Sequence, residues 1–270
     1  MEDSPTTSPH ARDACAPLVS VILTTRDRPI FFGTALACYQ HQTYANRELI
    51  VVDDGDEFPV DAARIEALGG QLVRTDPGTP LGTKLNLGCE AARGIFCQKM
   101  DDDDWYAPAF VETLVTALLR GWHEACRPSI AFLTPFLFFD VARWEVRRSV
   151  ENNVPGATFL FPRIDWMEQP FRSIPGDEDV WFLMDQLRLG TVPVKVRAPE
   201  LFIAVRHLGL ANDRGHTWVN QSSGRSLEDD LLDRQLYPGG PEALLPAWAV
   251  AFYEGLRGGS VRDDPASISM

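Results

Sequence analysis

Four consecutive aspartates, Asp101 to Asp104, constrain this chain more than any other feature, because they directly follow an apolar-rich run, Ile95 to Met100. Like charges crowded at the end of a strand repel one another, and screening by solvent relieves only part of that cost. A hard divalent cation bound by oxygen ligands would neutralise such a cluster. A second apolar run, Leu49 to Val52, also ends in acids, Asp53 and Asp54. The sequence therefore predicts two carboxylate-tipped strands and a site for a metal and a nucleotide.

The composition narrows the class of protein. With 270 residues, 45% hydrophobic and 23% charged, the chain is typical of a water-soluble globular protein with one substantial core. A net charge of −13 argues against broad binding to nucleic acid, which needs a basic surface. No run reaches the roughly 18 apolar residues of a transmembrane segment, although peripheral contact with a membrane stays compatible with the sequence. Five cysteines without C-x-x-C spacing favour reduced thiols and a cytoplasmic location over disulfides or a zinc site.

Strand-like and helix-like segments alternate through the first half of the chain. The predicted strands are Leu18 to Leu23, Glu48 to Val52, Gln71 to Arg74 and Ile95 to Met100. This alternation predicts an α/β fold with right-handed crossovers, in which helices flank a mixed, mainly parallel, Rossmann-like sheet. Ligands of such sheets bind beyond the carboxyl ends of the strands, where both acidic motifs fall. The second half is less regular, with strand candidates at Ala157 to Phe161, Val192 to Val196 and Leu201 to Arg206.

Several motifs in this order resemble the inverting nucleotide-sugar glycosyltransferases of family 2, whose fold is called GT-A. The segments that carry the resemblance are Val19 to Pro29, Leu49 to Gly55, Lys84 to Gly94 and Lys99 to Pro108. They are similar to the family's opening strand and turn, its Val-Asp-Asp-Gly strand end, the helix before its signature, and its Asp-x-Asp segment. Asp56 stands where the family usually has Ser. The resemblance covers roughly residues 17–108 and thins beyond them.

The resemblance implies roles for six residues of this first half. Thr24 would border the nucleotide, Asp53 and Asp54 would contact its base or ribose, Lys84 would assist, Asp101 would lie near the ribose, and Asp103 would coordinate Mg²⁺ or Mn²⁺. A cation is needed because the departing nucleoside diphosphate gains negative charge. From spacing alone, Asp101 and Asp103 can share one face of extended backbone and address one cation together. The alternative for the acid run is a solvated loop, and for Lys84 a solvated helix surface.

A third motif, Gly176 to Phe182, resembles the family segment whose Asp is the general base that deprotonates the acceptor hydroxyl. The resemblance assigns this role to Asp179, with Asp177 and Glu178 as competitors. A carboxylate in the first turn of a helix is stabilised as an anion by the helix dipole. Acids at that position are also ordinary capping residues, so the motif alone leaves both interpretations open.

Two histidines after the last predicted strand are candidates to complete the metal shell. These are His207, preferred because Arg206 beside it can meet phosphate, and His216. An isolated histidine is more often structural. The family's usual His-Gly-x-Asn arrangement is spread here over His207, Gly209 and Asn212.

The resemblance implies a metal-dependent inverting glycosyltransferase that moves a sugar from a nucleoside diphosphate donor, a UDP-sugar, to a hydroxyl acceptor. The alternatives are a nucleotide-sugar-binding sensor or scaffold without turnover, and a nucleotidyltransferase, whose glycine-rich phosphate loop is missing from Thr24 to Arg28. The expected organisation is a disordered tail (1–16), a nucleotide-sugar-binding half (17–108), an acceptor and catalytic half of the same domain (109–220), and a C-terminal helical extension with its tail (221–270). Nothing in the second half identifies the acceptor. The aromatic-rich stretch from Phe132 to Trp144 could line the floor of a pocket for the acceptor, but packing in the core is the better prediction.

Overall fold

The computed structural model of the chain describes residues 16–124, 128–151, 153–174, 176–207 and 228–259. His216, Gly209, Asn212 and nearly all of the predicted N-terminal tail lie outside these ranges. No helix within them is both long and apolar enough to cross a membrane.

The first half of the chain forms the predicted alternation of strands and helices. The strands are β1 (Val19–Thr25), β2 (Arg47–Asp53), β3 (Gln71–Arg74) and β4 (Phe96–Asp101). The helices between them are α1 (Pro29–Gln40), α2 (Ala62–Glu66) and α3 (Leu81–Ala91). Strand β1 is buried along its whole length, as expected for a central strand covered on both faces. Pro29 opens α1, a position at which its missing N–H costs nothing.

The register of the parallel strands brings the polar strand ends together. Strand β1 lies between β2 and β4, with Thr25 opposite Asp53 and Thr24 opposite Asp101. All three strands run in the same direction, so their carboxyl ends share one edge of the sheet. The two acidic motifs predicted to be neighbours are therefore brought to the same place by β1.

The second half completes the large sheet and adds a smaller one. Its strands are β5 (Trp105–Tyr106), β6 (Pro128–Leu133), β7 (Leu137–Asp140), β8 (Glu145–Ser149), β9 (Leu160–Pro162), β10 (Val192–Val196), β11 (Phe202–Arg206) and β12 (Leu232–Leu236). Its helices are α4 (Phe110–Glu124), α5 (Arg163–Glu168), α6 (Glu178–Arg188), α7 (Glu228–Leu231) and α8 (Ala247–Arg257). The large sheet has the order β10-β6-β9-β4-β1-β2-β3, in which β9 alone runs antiparallel to its neighbours, and the small sheet has the order β12-β8-β7-β11-β5.

Three features of this half differ from the sequence-based predictions. The strand predicted from Ala157 is a 3₁₀ turn, Gly156–Thr158, followed by the shorter β9. The C-terminal extension, predicted as helical, also contributes β12, whose pairing with β8 is a tertiary contact that its polar sequence does not indicate. The extended segments and the hairpin near Asp140 follow from the sequence, but the five-stranded sheet was not predicted, because β5, β11 and β12 join that hairpin from distant parts of the chain.

The aromatic-rich stretch packs as core. Phe132, Phe136, Phe138 and Phe139 are all buried, and rings from this stretch contact Phe202 of β11 and Tyr253 of α8. The preference for core over an exposed sugar platform is therefore confirmed for these four residues.

Gly94 offers a test of how closely β4 approaches β1. A Cβ added there would lie 2.7 Å from the Ser20 amide nitrogen and 2.8 Å from the Leu18 carbonyl oxygen. We expect Gly94→Ala to lower the free energy of unfolding by about 1–3 kcal/mol, as overpacking does, measured by urea denaturation. Gly258→Ala is the matched control, because its Cβ would have 3.3 Å to the nearest atom and its φ of −79° suits alanine. Equal stability of the two variants would contradict this packing.

Candidate active site

Asp53 closes β2 and organises the loop that follows it. Its carboxylate accepts hydrogen bonds from the backbone amides of Gly55 and Val60, each at 2.8 Å. Arg74 of β3 donates to the same carboxylate at 2.5 Å. Asp53 is fully buried in these contacts. The structure therefore gives it a clear role in shaping the loop, while its predicted contact with a nucleotide stays a prediction.

Asp54 and Lys84 form the second polar pair at this edge. The Lys84 ammonium donates to an Asp54 oxygen at 2.6 Å and lies 3.4 Å from the Thr25 carbonyl oxygen. The other Asp54 oxygen accepts from the Gly78 amide at 3.0 Å. The side chain of Lys84 is only 10% exposed, so the solvated alternative for this residue is wrong. Helix α3 brings it inward to balance the charge of Asp54.

The four aspartates after β4 contact different partners. Asp101 faces the Lys99 ammonium at 3.4 Å, and Asp104 accepts from the Val205 amide of β11 at 2.9 Å. Asp102 accepts from the Thr25 hydroxyl at 2.7 Å. The neighbouring Thr24 is buried in β1 opposite Asp101. The run is therefore built into the protein at several points and is not a solvated loop.

Arg28 connects two of these aspartates. One of its terminal nitrogens lies 3.0 Å from an oxygen of Asp102 and 3.0 Å from an oxygen of Asp103. Burial raises the pKa of Asp102 to about 6, although the Arg28 charge and the Thr25 hydroxyl oppose this shift. The guanidinium thus places a positive charge beside two adjacent buried carboxylates.

His207 meets Asp103 across 104 positions of sequence. Its Nε2 lies 3.3 Å from the Asp103 oxygen that Arg28 contacts, and both side chains are buried. The imidazole ring packs on Phe31 of α1 with a centroid distance of 4.3 Å. The structure therefore places together the two residues predicted as metal ligands. Among the described residues, no three acidic, histidine or cysteine side chains meet as a preformed metal site.

Lys99 joins the acid run to the start of α6. It is completely buried in β4, and its ammonium lies 3.4 Å from Asp101 and 3.5 Å from Glu178. Burial alone would lower the pKa of Lys99, but the charge of Asp101 and those of Asp179 and Glu178 outweigh it, so the pKa is raised. Lys99 therefore stays charged and links the start of α6 to the end of β4.

The three acids of the base motif have distinct environments. Glu178 is buried, which raises its pKa despite the charge of Lys99. Asp177 is exposed in left-handed backbone, with φ of 58°. Asp179 is half-buried in the first turn of α6, accepts from the Val180 amide at 2.7 Å, and lies directly over Gly156, where a Cβ would come within 1.9 Å of its carboxylate. Asp179 is therefore the half-buried member of the three, and its charge, like that of Glu178, acts on Lys99.

A cleft of about 400 Å³ opens beside this edge. It is bordered by the start of α1, including Arg28, and by the loop from Glu57 to Asp61. Thr25, whose hydroxyl donates to Asp102, lines the same cleft.

The sequence pattern does not identify three residues of this site: Arg28, Asp102 and Lys99. Each has a partner that is distant in sequence, Arg28 with Asp102, Asp102 with Thr25, and Lys99 with Glu178, so only the fold brings them together. A signal exists for Lys99: a lysine inside the apolar run of a central strand has to find a buried counter-charge.

Comparison with known proteins places this chain in a family. The model of glycosyl transferase family 2 matches residues 20–153, about half of the chain. EpsH of Bacillus subtilis, which carries a glycosyltransferase name, is 32% identical over 102 residues, 37% of this chain and 30% of EpsH. An uncharacterised glycosyltransferase of Haemophilus influenzae is 31% identical over 111 residues, 40% of this chain and 34% of the relative. The chain belongs to glycosyltransferase family 2.

Solved structures confirm the expected GT-A type of fold. Staphylococcus aureus TarS superposes with a TM-score of 0.54 at 16% identity over 69% of this chain and 36% of TarS. The mannosyltransferase PcManGT of Pyrobaculum calidifontis, solved with GDP-Man and Mn²⁺, gives 0.52 at 17% identity over 76% of this chain and 61% of PcManGT. The family 2 chain spans about a third of the length of these two curated relatives, EpsH and the Haemophilus influenzae protein.

The buried ion pairs of Lys99 give a direct test of the link between β4 and α6. Lys99→Met leaves Glu178 buried without its counter-charge, so we expect a loss of about 3–5 kcal/mol in the free energy of unfolding, measured by chemical denaturation. Lys99→Met combined with Glu178→Gln should recover part of that loss. Lys195→Met, at an exposed position of β10, should change stability by less than about 0.5 kcal/mol. A Lys99→Met variant as stable as the Lys195 control would contradict the described pairing.

Proposed function

We propose that this family 2 protein is a metal-dependent inverting glycosyltransferase that moves a sugar from a UDP-sugar to a hydroxyl acceptor. The observation that carries the proposal is the shared strand edge, where β1 aligns the Asp54–Lys84 pair with the Asp103–His207 pair. The end with Asp54 and Lys84 suits a nucleoside, and the end with Asp103 and His207 suits a diphosphate. The base motif of α6 lies next to it through Lys99.

A divalent cation suits the Asp103–His207 pair. Both side chains are buried, and they come from the ends of strands that are far apart in sequence. An aspartate that is only solvated would not be buried beside a histidine in this way. Mg²⁺ characteristically takes only one or two protein ligands and completes its shell with substrate phosphates and water. Asp103 and His207 would hold the ion, and Asp101 would stand nearer the ribose. Once bound, the ion would stabilise the charge that grows on the leaving diphosphate.

The donor class is supported by relatives of the same fold. TarS has been solved with UDP-GlcNAc and PcManGT with GDP-Man. For this chain, Asp54 would accept a hydrogen bond from a base N–H or a ribose hydroxyl, since carboxylates are pure acceptors. Asp53 would hold the loop beneath that contact, and Thr24 would border it. Uracil is proposed as the base from family resemblance.

Asp179 would act as the general base. The acceptor oxygen would attack the anomeric carbon as its proton passes to the Asp179 carboxylate, and the bond from that carbon to the diphosphate oxygen would break with its electron pair. A single displacement of this kind inverts the configuration of the anomeric carbon. Asp179 suits the role because it is half-buried, whereas Glu178 is buried against Lys99 and Asp177 is exposed.

The metal role predicts a loss of binding. Asp103→Asn should weaken Mn²⁺-dependent binding of UDP by at least about tenfold, as loss of a ligand interaction does, measured by isothermal titration calorimetry with GDP as a second probe. Asp56→Asn removes the same charge at an exposed position of the loop after β2 and should bind as the wild type does. Undiminished Mn²⁺–UDP affinity in the Asp103 variant would refute the proposed cation site.

The base role predicts a different pattern. Asp179→Asn should slow turnover of a labelled UDP-sugar, to acceptor or to water, by about 10²–10⁴-fold, with Mn²⁺–UDP affinity unchanged. Asp177→Asn is the matched control, because asparagine tolerates the same left-handed backbone. Turnover that survives Asp179→Asn would move the role to another residue. Binding without turnover in the wild type would favour a sensor over an enzyme.

A further inference from the structure

The position of Arg28 has a consequence for how a cation would enter this site. The same guanidinium nitrogen lies 3.0 Å from both Asp102 and Asp103. The two carboxylates are almost completely buried, with side-chain exposures of 6% and 1%. The guanidinium therefore lies between two adjacent carboxylates, which is where a bound cation would be expected.

Arg28 is more accessible than the residues around it. Its side chain is 27% exposed and borders the 400 Å³ cleft. The residue lies at the amino-terminal edge of α1, in the loop after β1. The side chains of Asp103 and His207, in contrast, are enclosed.

A guanidinium and a divalent cation do not share one carboxylate oxygen at low cost. Two positive charges this close repel each other, and the repulsion is stronger near a protein than in bulk water. The oxygen of Asp103 that would ligate the ion beside His207 is the one that Arg28 contacts. A cation bound at that oxygen would therefore weaken the contact of Arg28 with Asp103.

We infer that Arg28 is a resident counter-ion of the empty site, which a divalent cation displaces from Asp103 when it binds. This inference rests on the proposed function, because it presupposes the cation at Asp103 and His207. Before the cation binds, the single positive charge of the arginine offsets part of the negative charge of two buried aspartates. With the ion bound, its guanidinium is released toward the cleft beside the donor edge.

Displacement makes a measurable prediction about binding of the metal alone. In the wild type, part of the binding free energy of Mn²⁺ is spent on breaking the contacts of Arg28. Arg28→Gln removes those contacts, so we expect Mn²⁺ without nucleotide to bind about tenfold more tightly, the factor equivalent to one charge-assisted hydrogen bond. Affinity is measured at pH 8 by titration calorimetry and by the electron paramagnetic resonance of free Mn²⁺. Arg28→Lys, which keeps the charge, should stay closer to the wild type.

Arg64→Gln is the matched control. Arg64 lines the same cleft, is exposed, and packs over Phe32, so this variant removes one positive charge nearby without touching the aspartates. A similar gain in Mn²⁺ affinity in both glutamine variants would mean that only the general field has changed, and it would overturn the inference. Unchanged or weaker Mn²⁺ binding in Arg28→Gln would overturn it as well.

A measurement on the wild type covers the case in which Arg28→Gln fails to fold. The side-chain N–H resonance of Arg28 in ¹⁵N-labelled protein should shift and exchange faster with solvent on saturation with Mg²⁺, and an unmoved resonance would contradict displacement. Failure of the proposed function looks different, because the wild type would then bind neither Mn²⁺ with UDP nor Mn²⁺ with GDP. A wild type that binds Mn²⁺–UDP while Arg28 stays in place would refute this inference alone.

Discussion

Charge balance at one edge of the sheet is the constraint on which the rest of this structure depends. Parallel pairing of β1 with β2 and β4 collects their acidic ends in a space with little water. Buried carboxylates are costly unless they are paired, and a basic side chain stands beside each acidic end. Arg74 forms an ion pair with Asp53, Lys84 with Asp54, and Arg28 with the acid run.

These pairs differ in how readily they can be exchanged for a ligand. Lys99 is enclosed between β4 and α6, where it pairs with Asp101 and Glu178. Arg28 borders a cleft, and its two carboxylates include the residue proposed to hold the metal. The structure therefore has an enclosed ion pair that joins β4 to the start of α6, and a more accessible one at the proposed cation site.

Much of this architecture was predictable, because it depends on patterns of neighbouring residues in the sequence. Continuous apolar runs give the four strands, and their acidic ends follow from the order of the chain. The contact of His207 with Asp103 depended on resemblance to a family, since 104 residues separate the pair. The small sheet, β12 and the bridging position of Arg28 were not predictable, because each depends on tertiary pairing between short or polar segments. The predicted joint use of one cation by Asp101 and Asp103 stays untested, and in the structure the two contact different basic groups.

The most direct test of the central claim is the anomalous scattering of Mn²⁺ in crystals grown with UDP. The account predicts a single strong peak within ligand distance of Asp103 and His207, with the diphosphate on its far side and the nucleoside toward Asp54. A diphosphate bound at the strand edge with no manganese peak beside Asp103 would contradict the account, as would a peak at any other carboxylate.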